Sequence, residues 1–445
     1  MISRELEPAR RDSVERPTLE RTLRWAVDPH IGLVKQISSL DMQAGQPEIF
    51  VYVAEFQNPD IVVRKPSNNG MKHFGTGAGL TKEAAVWAAL GEAVERYAGS
   101  VYFEEDVVYA SHSELADRAL DPNELILFSK EQYETADFPF APFDPRAKRG
   151  WIPAFDLTNR RDILVPIAIT HFGYVARSRA EVIDCVSSSG LAAGADYAST
   201  AAAGIRELIE RDAFMCHWYT RLPPRRLDPN ELATRVPPGA RHLLAHPGLR
   251  LDLLDMTTEF GVPAVLAMIR RKFGRGIGVG ASCRLDPVAA IEKALVEVHQ
   301  CSSWILDSER SGMGPLDAGE VRTFEDHARY YFRPERLRQL DFLFEGPQGS
   351  VPNAAASAPV DARSELDTLV EIVRAAGYRV ILVDQTTEDV RQLGLTVVRA
   401  IIPGLQPLGI RLGCEHRDER RLRIFCERRG IPFPSRLNLD LHPFP

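Results

Sequence analysis

Three segments of the 445-residue chain carry the same residue types at the same spacing, each where a helix is expected. Thr81, Asp196 and Asp286 suit N-cap positions, because a short side-chain oxygen can accept from a helix N–H that otherwise has no partner. Eleven residues after each cap stands a glutamate: Glu92, Glu207 and Glu297. Three further on come Glu95, Glu210 and Gln300, and the first two copies continue with Arg96 and Arg211. Spacings of three and four put these groups on one helical face. Ala85 and Ala89, Thr200 and Gly204, and Ala290 and Ala294 lie on the stripe that bears the first glutamate of each copy. Small residues there predict a face packed tightly against neighbouring backbone.

A glutamate and an arginine at i, i+4 ordinarily form a solvated surface pair worth about 0.3–0.5 kcal/mol. Three copies in one register, each on a small-residue stripe, point instead to converging acids at a divalent-metal site. Hard cations such as Mg²⁺ take oxygen ligands and commonly sit between a few carboxylates and nucleotide phosphates. The pattern therefore suits metal–nucleotide chemistry better than zinc or redox chemistry. It does not name the nucleotide.

The net charge of −7 gives no electrostatic case for nucleic-acid binding. No apolar run reaches the ~18 residues that a membrane helix needs, and residues 1–30 are charged rather than signal-like. A cytoplasmic protein that binds neither membrane nor nucleic acid is expected. The six cysteines are scattered with no C-x-x-C pair, so reduced buried thiols are the default. Cys414, His416 and Cys426 imitate a metal cluster only by proximity in sequence.

Residues 1–30 read as a flexible or loosely docked arm. Residues 48–56 read as a strand, with 62–64 as a possible second. Asn68-Asn69-Gly70 and Gly75-Thr76-Gly77-Ala78-Gly79 read as a loop before the first helix, at about 81–98. That loop is either an anion cradle or a plain turn, and it lacks the Lys-Ser/Thr ending of a P-loop. Residues 134–150 read as a surface excursion and 151–156 and 163–169 as strands. Ser187-Ser188-Ser189-Gly190 precedes the second helix, about 196–219, and offers hydroxyls to a nucleotide or simply a polar turn. Strands at 249–256, 262–270 and 276–283 lead to the third helix, about 286–306. Residues 309–362 look irregular or inserted. A helix at 364–376 and strands at 379–383 and 396–402 follow, and the charge-dense stretch 417–429 reads as a solvated face. The chain is an α/β protein of the mixed α+β kind, without a repeated βαβ rhythm.

The segments GTGAGLTKEAAVWAALGEAVERYAGS (75–100), SSSGLAAGADYASTAAAGIRELIERDAF (187–214) and DPVAAIEKALVEVHQ (286–300) resemble the three ATP-binding motifs of the YcaO family. The likeness runs in order from about residue 31 to the end, which makes 31–445 one YcaO cyclodehydratase domain behind the 1–30 arm. The tail SRLNLDLHPFP (435–445), with VRAIIPGLQPLG (398–409) upstream, is similar to the cyclodehydratase branch of the thiazole/oxazole-modified microcin type. The resemblance implies a YcaO-type ATP-binding fold with mixed sheets and packed helices, with ATP and Mg²⁺ as cofactors. It implies that Glu92, Glu95, Glu207, Glu210 and Glu297 hold Mg²⁺ or its waters. Arg96, Arg211 and Gln300 would lie near phosphate or carboxylate partners, with Lys72, Ser188 and Ser189 also at the nucleotide. Pro443, Phe444 and Pro445 would be an ordered catalytic terminus.

The activity implied is ATP-dependent conversion of Cys, Ser or Thr in a ribosomal precursor peptide to thiazoline or (methyl)oxazoline, by phosphorylation of the backbone amide oxygen. Alternatives on the same fold are thioamide or amidine formation, or a non-catalytic ATP-binding scaffold of a peptide-modifying complex. Implied partners are the precursor peptide, a leader-binding protein, a second copy of the chain and a flavin-dependent azoline dehydrogenase. The sequence departs from the family pattern at Ala78, Ala88, Ser189 and Leu441.

Overall fold

The computed structural model describes residues 17–41, 45–63, 73–272, 274–355 and 359–444. Strands β1 (Val34–Ser39), β2 (Phe50–Phe56) and β3 (Phe74–Gly79) form an antiparallel sheet. Next along the chain come β4 (Val108–Ser111), β5 (Lys148–Asp156), β6 (Arg161–Pro166) and β7 (Leu191–Gly194). A second sheet takes β8 (Arg225–Leu227), β9 (Leu249–Asp255), β10 (Ala264–Arg271), β11 (Ile277–Cys283) and β12 (Gln348–Gly349) in the order β11-β10-β9-β8-β12. Only its β8–β12 pair is parallel among the described strands. The last strands, β13 (Ile381–Asp384) and β14 (Thr396–Ile401), complete a third sheet of order β4-β5-β13-β14-β7, with β6 added on β5.

The helices are α1 (Leu19–Ala26), α2 (Asp60–Val63), α3 (Lys82–Ala98), α4 (His112–Leu115), α5 (Lys130–Tyr133), α6 (Tyr197–Thr220), α7 (Pro229–Arg235), α8 (Pro287–Arg310), α9 (Phe324–Tyr330), α10 (Ala362–Ala375), α11 (Glu388–Gln392) and α12 (Arg420–Arg428). The mixed α+β class is as expected. No helix of the described residues is long and apolar enough to cross a membrane.

The three repeated segments are α3, α6 and α8, each preceded by a strand. Their caps behave as their chemistry requires: Thr81, Asp196 and Asp286 accept from the N–H groups of Ala84, Ser199 and Val288. Each helix packs on its own strand and on the strand of the next unit. Helix α3 lies against β3 and β7, α6 against β7 and β11, and α8 against β11 and β3. The three units thus close on one another, one from each sheet, and bring the three acid-bearing helices together.

The small-residue stripes explain how the helices come so close. Ala85, Ala89, Ala290 and Ala294 are fully buried, and Thr200 almost so. The glycine run 75–79 is not a loop. It is strand β3, and its glycines are there for approach rather than for a cradle: a Cβ on Gly77 would stand 2.1 Å from the Ala89 nitrogen. Gly204 meets the same need on α6, where a Cβ would stand 2.4 Å from the Gly190 carbonyl oxygen. Asn68-Asn69-Gly70 lies outside the described residues.

Other expectations need correction. Residues 60–63 form the turn of helix α2 rather than a strand. Part of the expected arm is helix α1, which buries Thr22 and Ala26, because an apolar face is available to it on the first sheet; residues 1–16 lie outside the described residues. The stretch 309–362 contains α9 and a 3₁₀ segment, Pro334–Phe344, whose Leu340, Phe342 and Leu343 enter the main core. The charge-dense stretch 417–429 is not a plain solvated face. Arg421 on α12 is buried and holds Asp212 of α6 at 2.6 Å and Glu259 at 2.6 Å. All six cysteines are free, and His416 faces Asp184 rather than a metal cluster.

Candidate functional site

Two of the acid helices, α3 and α6, use their first glutamate twice. Glu92 Oε2 accepts from the Thr76 N–H (2.7 Å) and hydroxyl (3.0 Å), while its Oε1 accepts from Arg96 at 3.2 Å. Glu207 repeats the arrangement, accepting from the Gly190 N–H at 3.1 Å and from Arg211 at 3.1 Å. A carboxylate thus caps backbone of its own unit while an arginine one turn on covers the other oxygen. The i, i+4 pairs are therefore partly buried and built into the fold, and not solvated surface pairs. The third copy differs: Glu297 pairs with Lys293 at 3.2 Å and stays more open, with half-buried Gln300 three residues on.

The second acids are deeper. Burial first, then the charges of Glu207 and Glu92, push the Glu95 carboxyl well above its ordinary pKa, against the pull of Arg96 and Arg399. Burial likewise pushes Glu210 up to about 7, with Glu297 and Glu207 adding to the effect and Arg211 and Arg284 opposing it. These couplings link α3 to α6 through Glu95 and Glu207, and α6 to α8 through Glu210 and Glu297. Among the described residues no three His, Cys, Asp or Glu side chains converge closely enough to form a ready metal cage. Mg²⁺ rarely uses one; it is usually held by one or two carboxylates, its own waters and substrate phosphates. A set of buried acids whose charged forms are mutually costly is what a divalent cation would relieve. The donor set fits Mg²⁺, with Glu92, Glu95, Glu207, Glu210 and Glu297 as the residues available to hold it or its waters.

One residue escaped the sequence reading. Arg399, in the middle of β14, is 3% exposed and lies close enough to Glu95 and Glu207 to feel both charges. Its Nη1 donates to the carbonyl oxygens of Ser187 (2.8 Å) and Ser189 (3.2 Å), which orders the serine turn. Its Nε and Nη2 are buried with no hydrogen-bond partner. Burial lowers its pKa to about 10, so it remains a cation at neutral pH. Buried guanidinium donors without acceptors, beside an acid cluster, are an evident place for phosphate oxygens. The signal was present in the sequence: a lone arginine inside an otherwise apolar strand, TVVRAI. Ser188 and Ser189 are half-buried in this turn, and Lys72 lies outside the described residues.

The C-terminal tail reaches the same place. It runs antiparallel to α6, with the Asn438 N–H donating to Tyr219 O (2.8 Å) and Trp218 Nε1 donating to Asp440 O (3.1 Å). Further along, His442 and Phe444 pack on Phe214, and the Phe444 ring lies 4.2 Å from the Arg211 guanidinium carbon. Leu441, His442 and Phe444 are all buried, so the tail is part of the core and not an exposed end with few contacts. Pro445 lies outside the described residues.

A family model described as YcaO cyclodehydratase, ATP- and Mg²⁺-binding, matches residues 76–406. Among solved structures, the chain is similar to a heterocyclase in complex with substrate and cofactor (25% identity, TM-score 0.76), covering 96% of this chain and 58% of that one. It is also similar to the heterocyclase TruD (25% identity, TM-score 0.63), covering 81% of this chain and 50% of that one. The chain thus spans between half and three-fifths of the length of those two proteins. A third likeness, in fold, is to YcaO from Methanopyrus kandleri bound with AMPPCP and Mg²⁺ (24% identity, TM-score 0.56), covering 84% and 86% of the two chains.

Proposed function

The chain belongs to the YcaO family, whose members bind ATP and Mg²⁺, and from that premise we propose that it is an azoline-forming peptide cyclodehydratase. The observation that carries this reading is the course of the tail, which brings Phe444 to Arg211, the residue that pairs with Glu207 and Glu210. A terminus placed there can present backbone carbonyls to a bound peptide without occupying the acids.

In the proposed reaction, a Cys, Ser or Thr side chain of the peptide attacks the carbonyl carbon of the preceding amide. As the sulfur or oxygen bonds to that carbon, its S–H or O–H bond breaks and the proton passes to solvent. The C=O π pair moves onto the amide oxygen, which takes the γ-phosphoryl group of ATP and releases ADP. The C–O bond then breaks, phosphate leaves with both electrons, and loss of the N–H proton gives the C=N bond of the ring. Amide oxygen is a poor leaving group, and phosphorylation makes it a good one. Mg²⁺, when bound, neutralises phosphate charge. Arg96, Arg211 and Arg399 would pair with phosphate oxygens, and Glu92, Glu95, Glu207, Glu210 and Glu297 would fix the metal or its waters. Pro443, Phe444 and Pro445 would line the peptide side, where a tail carbonyl would accept a hydrogen bond from the reacting amide N–H and orient it, the departing proton passing to solvent. Its proposed partners are a precursor peptide, a separate leader-binding protein, a second copy of the chain and a flavin-dependent dehydrogenase that acts on the ring.

Mass spectrometry of a cysteine-bearing precursor incubated with the chain, its leader-binding partner, ATP and Mg²⁺ tests the reading. Loss of one water mass per ring is expected from the wild type and not from Glu92→Gln or Glu210→Gln. Unchanged ring formation in both variants would remove the acids from the active site.

A further inference from the structure

We propose that His327 is the positioning residue that clamps the C-terminal tail at the site, an inference that rests on the function proposed above. His327 lies on α9, in the stretch that looked inserted, and is completely buried. Its Nδ1 is 2.7 Å from the His442 carbonyl oxygen and its Nε2 is 2.8 Å from the Ile410 carbonyl oxygen. The two imidazoles stack, with centroids 4.3 Å apart and planes 28° apart. One helical turn on, the Tyr331 hydroxyl donates to the Leu441 carbonyl oxygen at 2.5 Å.

The sequence of the tail makes these two donors necessary. Pro443 has no N–H, so it cannot anchor the chain through a backbone donor. The Phe444 N–H is used locally, donating to His442 Nδ1 at 3.2 Å. That leaves His442 Nε2 as the protonated nitrogen, which donates to the Gly409 carbonyl oxygen at 2.8 Å. The carbonyls of Leu441 and His442 are then the tail's remaining handles next to Pro443, and Tyr331 and His327 hold them. Each buried carbonyl deprived of its donor costs about 1–3 kcal/mol. Burial favours the neutral imidazole of His327, which carries one N–H; the clamp places it on Nδ1, facing His442, while His442 itself ties the tail to Gly409. None of these groups touches the acid cluster. His327 acts through where Phe444 and its neighbours are held.

Hydrogen exchange and kinetics on His327→Ala and Tyr331→Phe test the clamp. Amide exchange at Leu441, His442 and Phe444 should accelerate about 10-fold or more, as expected for loss of a buried hydrogen bond, while β9, β10 and β11 exchange as before. With a cysteine-bearing peptide that the wild type processes, kcat should fall by about 100-fold, as a misplaced catalytic group implies. The KM for ATP should not change. His327→Asn keeps a donor at the Nδ1 position, facing His442, and should recover much of kcat. His327→Gln keeps a donor at the Nε2 position and should not. Unchanged tail exchange in both first variants, a parallel change of kcat and KM for ATP, or equal rescue by Asn and Gln would overturn the clamp. If the wild type processes no peptide, the proposed reaction fails while tail exchange still decides the clamp.

Discussion

Phe444 lies under Arg211: its ring centroid is 4.2 Å from the guanidinium carbon, and the Phe214 ring is 5.1 Å away. The end of the chain and the second acid helix are thus one packed unit. An aromatic face held against an arginine attracts it by roughly 0.5–2 kcal/mol, more as water is excluded. That contact also aims the guanidinium, which pairs with Glu207 and Glu210 on its other contacts.

Phe444→Ala should therefore cost stability as well as activity. The side chain is buried, and truncation in a core costs about 3–5 kcal/mol for phenylalanine. Urea unfolding checks this directly. Ring formation should fall far more than Mg·ATP affinity, and a variant of unchanged stability would show that the tail is not docked in solution.

Arg399→Gln should affect binding more than stability. The guanidinium is buried with two donors unsatisfied, and relief of that desolvation offsets the loss of its bonds to Ser187 and Ser189 and of its pull on Glu95. Mg·ATP affinity should drop about 10-fold to 100-fold, the equivalent of 1.5–3 kcal/mol for hydrogen bonds to a charged group. Calorimetric titration against thermal melting separates the two effects. A variant that is less stable and binds normally would make Arg399 structural only.

Much of this is legible in the sequence, and the reasons are physical. The three acid helices announced themselves because cap, small-residue stripe and glutamate repeat with the helical period, and each stands where the spacing puts it. The glycine run 75–79 misled because glycine serves both loops and close approach. Only the position of Ala85 and Ala89 across from it tells the two apart. Arg421 looked solvated because local charge density gives no sign of Asp212, which lies 209 residues away in sequence. The same limit hid Arg399, whose acidic neighbours come from two other helices. Burial of the tail was equally out of reach, since its partners His327 and Tyr331 lie in a stretch with little periodicity.

The Arg421–Asp212 pair makes its own prediction. Both side chains are fully buried and joined by two hydrogen bonds, at 2.8 and 2.6 Å. Asp212→Asn leaves a buried cation with Glu259 as its remaining acid, and should destabilise the protein by about 3–5 kcal/mol. The midpoint of chemical denaturation reads this. A shift below about 1 kcal/mol, the range of surface pairs, would mean that the pair is solvated.

Acid should destabilise the fold through buried histidines. Burial holds His171 down to about 3, and His217 and His299 down to about 4. The unfolded chain binds protons at these groups near pH 6.5 while the folded chain does not, so stability falls as pH drops below that value. Each group removes up to about 1.4 kcal/mol per pH unit until its folded value is reached. Glu95 and Glu210, whose carboxyls burial raises, pull the other way over the same range. The decline in melting temperature from pH 7 to pH 5 should therefore be steeper in a Glu95→Gln, Glu210→Gln double variant, and a flat profile in that variant would mean that these rings are open to water.

The central claim is that ATP activates the amide oxygen of a peptide bond. A precursor carrying heavy oxygen in the carbonyl that precedes its reactive cysteine puts the claim to one measurement. With ATP, Mg²⁺ and the leader-binding partner, each ring formed should yield one ADP and one inorganic phosphate bearing the heavy oxygen. Ring formation with unlabelled phosphate, or ATP hydrolysis whose phosphate takes its oxygen only from water, would contradict the account.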